Sequence, residues 1–242
     1  MLKFSDARSF GRSLTGICLI GAPVLFLVAS IVQPDTDHKN KLRELNAIAA
    51  HKGTYVLSGV LYLLAGIVLI AAAIGVIRLF RGPRGVTLGQ ISGALLVLGG
   101  AVTFGWYSLG AAEYEMVNHT GLNRPELATY LHKADQTASM APLFILFLIG
   151  IVVGTVLLGI ASRRVRIVPI WASVAIAAAG IVGFFGNGKG VQIVDFVILL
   201  VGLGTLGWRT LAMSDEEWEA PRERTAPPAA TPPPAPAPVS AS

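Results

Sequence analysis

The chain has 242 residues, 53% of them hydrophobic and only 14% charged, with a formal net charge of +5. A soluble domain carries about a quarter charged residues, so an ordinary water-exposed globule is excluded. The pI near 9.6 does not indicate nucleic acid, because the basic residues flank apolar runs instead of clustering on a polar face.

Six apolar runs follow in chain order, at 14–32, 54–79, 88–112, 138–161, 168–185 and 191–212. About 20 apolar residues in a helix cross a hydrocarbon core of roughly 30 Å, whereas a membrane strand needs only about 10 and alternates in polarity. A helix also satisfies its backbone groups within the segment, as hydrocarbon requires. The expected fold is an all-α polytopic bundle of six transmembrane helices over residues 1–213. The first run, which ends in FLVAS, also fits a cleavable signal. Its length and the even helix count favour retention.

Orientation follows from Lys and Arg. One side receives Lys3, Arg8, Arg12, Arg78, Arg81, Arg84, Arg163, Arg164, Arg166, Arg209, Arg222 and Arg224. The other receives Lys39, Lys41, Arg43, Lys52, Arg124, Lys133 and Lys189. The denser side is expected to be cytoplasmic, with both termini on it and the chain in the cell membrane.

Inner loops RGPRG (81–85) and SRRVR (162–166) are short, so the helices they join should be antiparallel neighbours. Two outer segments, 33–53 and 113–137, are long, and GNGKG (186–190) reads as a tight turn. In the first, Leu42, Leu45, Ile48 and Ala49 recur at helical spacing. In the second, Asn123, Pro125 and Glu126 suit a helix start, and Leu127, Tyr130, Leu131 and Ala134 form a stripe. Two short amphipathic helices are expected on the outer surface. A shift of 82 residues lays Glu44-Leu45 on Glu126-Leu127 and Arg81 on Arg163, a faint parallel repeat.

From Ser214 to 242 the composition changes, with eight of the fourteen prolines in this stretch. It cannot bury a core and reads as a disordered cytoplasmic tail of polyproline character, a spacer or a ligand for a protein partner with an aromatic groove. The stretches RGVTLGQISGALLVLGG (84–100) and GAAEYEMV (110–117), with the Pro-Ala tail, resemble uncharacterised multi-pass membrane proteins of high-GC, actinobacterial-type bacteria. The resemblance implies no catalytic residues.

Candidate chemistry is sparse. The single Cys18 excludes an intramolecular disulfide and a cysteine metal cluster. His38, His51, His119 and His132 all fall on the outer side, with Glu113, Glu115 and Asp135. Convergence of His51, Glu113, His119, His132 and Asp135 would make a metal site, but no His-Glu-x-x-His or other fixed ligand spacing is present. No cofactor is implied. The serines lack a nucleophile elbow, and Gly150 and Gly154 read as helix packing. Trp106, Tyr107, Tyr114 and Tyr55 read as an interfacial belt.

Asp195 stands apart, a carboxylate set into VQIVDFVILL. A charge at the bilayer centre costs roughly 2.5–3.5 kcal/mol on insertion scales, and the helix N-terminus offsets only about 0.3–1 kcal/mol. It should therefore face the bundle interior beside Gln192 and Gly202 and meet water or a cation, Lys52 first, then Lys133 or His51. A non-enzymatic binding, scaffolding or accessory membrane protein is the leading expectation. A small-molecule transporter with its site near Asp195, or an outer-face metal-dependent enzyme, are the rivals.

Overall fold

The computed structural model describes residues 7–35, 40–80, 86–118, 123–135, 141–185 and 188–219, and among these it is all helical. The elements are α1 (Ala7–Val32), α2 (Lys41–Ala50), α3 (Lys52–Leu79), α4 (Val86–Asn118) and α5 (Arg124–Asp135). Then come α6 (Ala141–Phe147), a π-helical turn (Leu148–Val153), α7 (Gly154–Arg164), α8 (Ile170–Phe185), α9 (Lys189–Ala212) and α10 (Asp215–Glu219). The α6–π–α7 stretch is continuous.

Five of these helical stretches are long and apolar enough to cross a membrane, and α8, at 16 residues, is shorter. At 1.5 Å per residue α8 measures roughly 24 Å. Large apolar side chains face outward on the long helices, among them Ile17, Leu57, Ile91, Ile145 and Val201. A band of this kind is unfavourable against water and neutral against lipid.

The six long helices form a closed ring. Each packs on the next in the order α1, α3, α4, α6–α7, α8, α9, and α9 returns to α1. Small residues permit the close approaches. A Cβ on Gly207 would meet the Gly16 carbonyl oxygen at 2.7 Å, and one on Gly202 would meet the Ile176 backbone nitrogen at 2.8 Å. Gly150 abuts Gly99 in the same way, while Gly154 rests on Leu95 and Leu96.

The ring is filled unevenly. Near the end that carries the start of α1 and the end of α9, Leu19, Val76, Leu158, Ile176 and Leu206 join one core drawn from α1, α3, α7, α8 and α9. That core reaches past the expected start of the tail, since Trp218 on α10 is buried in it. Ser214 and Glu217 cap α10 reciprocally, each side chain accepting from the other's backbone N–H. Arg12 pairs with Asp215 at 3.4 Å. The tail from 220 onward lies outside the described residues, as does the RGPRG loop.

At the opposite end α2 and α5 pack on each other, with Leu45 and Ile48 against Val117, Ala128 and Leu131. Asn40 caps α2 by accepting from the Arg43 N–H, and Arg124 donates to Asn46 across the pair. The stripe expected on α5 is displaced: Ala128 is buried and Tyr130 is turned outward. Ala128 and Leu131 are three residues apart and share the face that meets α2, whereas Tyr130 lies about 100° per residue away from each neighbour on the helical wheel. The two segments superposed by the faint repeat also sit in unlike places. Glu44 is buried and ion-paired, while Glu126 is exposed and accepts from Asn123.

Candidate functional site

Above the filled half of the ring lies a cavity of about 290 Å³ lined from every helix of the ring. Its floor is Leu69, Leu96 and Leu203, near the helix midpoints, and its far wall carries Gln192 and Asp195 from the first turns of α9. Asp195 lies roughly 9 Å along α9 from Lys189, at 1.5 Å per residue. The carboxylate therefore opens on the cavity from within the apolar slab.

Asp195 is 9% exposed, and its Oδ2 packs on the Gly183 backbone, where a Cβ would meet it at 2.5 Å. Only glycine lets α8 approach the carboxylate so closely. The Oδ1 atom is buried with no hydrogen-bond partner. Among the described residues no Lys, Arg or His lines the cavity. Asp195 was expected to meet water or a cation, and the cations named for it lie elsewhere. Lys52 is exposed at the start of α3, and Lys133 and His51 are exposed as well. The basic group that does reach this end of the ring is Lys189, and its ammonium donates to the carbonyls of Ile31 (2.9 Å) and Gln33 (2.6 Å). Those are carbonyls at the C-terminal end of α1, which lack helical partners and attract a cation.

Gln192 lies on the same wall. Its amide donates to the Tyr62 hydroxyl at 3.0 Å, and Tyr62 donates to the Gln33 side chain at 3.0 Å. The chain Gln192–Tyr62–Gln33 ties α9, α3 and α1 at the cap side of the cavity. Around it the walls are aromatic. Tyr62 stacks on Tyr107 at 4.5 Å between ring centroids, and Phe26 stacks on Phe196 at 5.2 Å. Tyr107 is therefore an inward wall residue and not part of an interfacial belt. It also lines a second cavity of about 290 Å³ between α3 and α4, with Gln33, Tyr55, Tyr114 and Glu115.

The metal candidates do not converge. Among the described residues no group of three His, Cys, Asp or Glu side chains is placed to hold a metal ion. Glu113 is engaged by Lys41 at 2.8 Å. His51 occupies the α2–α3 junction, where its carbonyl accepts from Tyr55 N–H and the Thr54 hydroxyl. His132 is exposed on α5. His38, His119 and the side chain of Asp135 lie outside the described residues. Ser58 and Ser108 bond the preceding turn of their own helices, as hydroxyls in membranes commonly do.

A buried carboxylate with one unsatisfied oxygen costs stability, and among the described residues no cation would be stranded by its removal. Asp195→Leu should therefore raise the stability of the detergent-solubilised protein by roughly 1–2 kcal/mol, within the range for relieving an unsatisfied buried group. Chemical denaturation of the two chains measures it. A loss of several kcal/mol would mean that the carboxylate has a partner in the folded protein.

The residues that sequence reasoning missed are Tyr62, Phe26 and Phe196. Each sits in an apolar run with nothing local to separate a cavity wall from a core position. Comparison with protein-family models, with curated proteins and with solved structures finds no match to this chain.

Proposed function

We propose that the protein is a non-enzymatic integral membrane protein that binds a small, largely apolar molecule inside its helical ring, beside Asp195. The observation that carries this reading is the cavity itself. Ligand sites are concave, mostly apolar, lined with a few placed polar groups, and begin near 300 Å³. A cavity of about 290 Å³ lined from every helix of the ring, with Asp195 and Gln192 on one wall, fits that description.

A second reading is transport. The cavity extends to the level of Leu203, past the middle of α9, so a bound molecule would sit near the centre of the slab, where transporters hold their substrates. The protein lies in the cell membrane with six crossings and both termini in the cytoplasm. The ring supports the sixth crossing, because α8 packs along both α7 and α9. The bias of Lys and Arg supports the orientation. Segments α2 and α5 then form an outer cap, and the Pro-rich tail is left free for a cytoplasmic protein partner.

The test is occlusion. Leu199 lines the cavity from α9 and is only half-buried, so Leu199→Trp puts an indole into the space. Neopentylbenzene, a compact apolar probe, should bind the full chain in detergent saturably, and the Leu199→Trp chain should show only micelle partitioning. Titration calorimetry on both reads the difference. Equal uptake by the two chains overturns the reading.

A further inference from the structure

We infer that the cavity beside Asp195 selects a small hydrophobic cation, an aromatic or alkyl amine bearing one positive charge. The inference rests on the small-molecule-binding reading above and names the ligand class for that site.

Three observations converge. First, among the described residues the wall holds one carboxylate and no basic group to neutralise it. Its Oδ1 is buried without a partner, and the side chain is more than nine-tenths buried. An unpaired carboxylate in a low-dielectric space favours an opposite charge far more than one in water does. Second, four donors around the space are already engaged. The Thr103 hydroxyl donates to the Gly99 carbonyl at 2.9 Å, Thr155 to Ile151 at 2.8 Å, and Tyr62 to Gln33 at 3.0 Å. The Gln192 amide donates to Tyr62. What these groups and Asp195 leave facing the cavity is acceptor capacity, which suits a ligand that donates or is positively charged and disfavours an anion. Third, the remaining wall is rich in rings: Phe26, Tyr62, Trp106, Tyr107, Phe184 and Phe196. Aromatic faces carry negative quadrupole potential and attract cations, ammonium groups above all. Such rings also accept an apolar body, so the same walls serve both halves of an amphiphilic amine.

The volume restricts the class. About 290 Å³ admits one ring with a short substituted ammonium group and excludes extended dyes and phospholipids. Gly183 is exposed on the side away from Asp195, so the carboxylate lies close to the outer surface of α8. A cation partitioned into that leaflet therefore has a short path to it.

A matched pair of probes tests the inference on the unaltered full chain, independent of how any variant folds. Benzyltrimethylammonium and neopentylbenzene have the same shape and differ only in the charged nitrogen. In detergent, the cation should bind the wild-type chain at least tenfold tighter than its neutral isostere. Asp195→Asn should remove that preference. Equal binding of the two probes to wild type, with Leu199→Trp still excluding the isostere, overturns the cation assignment and leaves the cavity reading standing. A preference that survives in Asp195→Asn overturns the assignment too. If neither probe binds wild type better than the Leu199→Trp chain, the cavity reading and the cation assignment fall together.

Discussion

Lys41→Met should destabilise the cap by about 3–5 kcal/mol, the range for removing one partner of a buried ion pair. Lys41 reaches Glu44 at 3.1 Å on its own helix and Glu113 at 2.8 Å on α4, with side-chain exposures of 12%, 10% and 18%. Burial alone would lower the Lys41 pKa. The hydrogen bond and charge of Glu113, and then of Glu44, outweigh it and hold the ammonium above its ordinary value of 10.5. Methionine keeps the aliphatic stem and removes the ammonium that bridges the two acids. Hydrogen exchange of α2 should rise accordingly, and Glu113→Gln combined with Lys41→Met should recover part of the loss. The sign of the pH dependence is set by the raised value. The contribution is complete below 10.5 and is lost only as pH climbs through the higher folded pKa. Cap stability should therefore be flat across neutral pH with respect to this lysine. A Lys41→Met chain with wild-type exchange in α2 would mean that the cap is held by Leu45 and Ile48 alone.

Gly150→Leu should prevent the ring from closing. A Cβ at this position would lie 2.6 Å from the Gly99 nitrogen and 2.7 Å from its Cα, so the obstacle is backbone and not a movable side chain. Gly99 is itself pressed against Ile151 and the Gly150 carbonyl carbon, which leaves neither helix room to yield. Even Gly150→Ala should cost about 1–3 kcal/mol as overpacking, and leucine adds branches that separate α4 from the α6–α7 stretch. The expected result is loss of monodisperse protein on size exclusion in detergent for Gly150→Leu, with Gly150→Ala retained but melting lower. A leucine variant that melts like wild type would mean that the two helices do not touch here in solution.

The long apolar runs, the helical class and the small-residue contacts could be read directly from the chain. Run length and hydropathy are local properties, and hydrocarbon leaves a spanning segment of that length one economical conformation. Asp195 and Gly202 could likewise be placed on one stripe, because a spacing of seven residues nearly completes two turns whatever surrounds the helix. The α2 face, Leu45 with Ile48, was legible for the same reason, whereas Tyr130 on α5 was not. Its neighbour Ala128 fits against α2 only because of where α5 lies, and alanine carries no pattern strong enough to announce a buried face.

What no stretch of sequence contains is which helices become neighbours. Lys52 and Lys189 are both lysines near the cap end of a long apolar helix, and of the two only Lys52 was expected beside the carboxylate. The closure of α9 on α1 sets the ammonium of Lys189 against the carbonyls of Ile31 and Gln33, while Lys52 is exposed at the start of α3. The same closure brings Tyr62, Phe26 and Phe196 from three helices into one wall. Trp218 finds its place in the core only through the packing of α10 on α1. Helix formation and membrane length are decided by forces acting within a segment, so the sequence determined them by itself. The ring-lined cavity beside Asp195 is decided by contacts between segments far apart in the chain, and those exist only once the ring has closed.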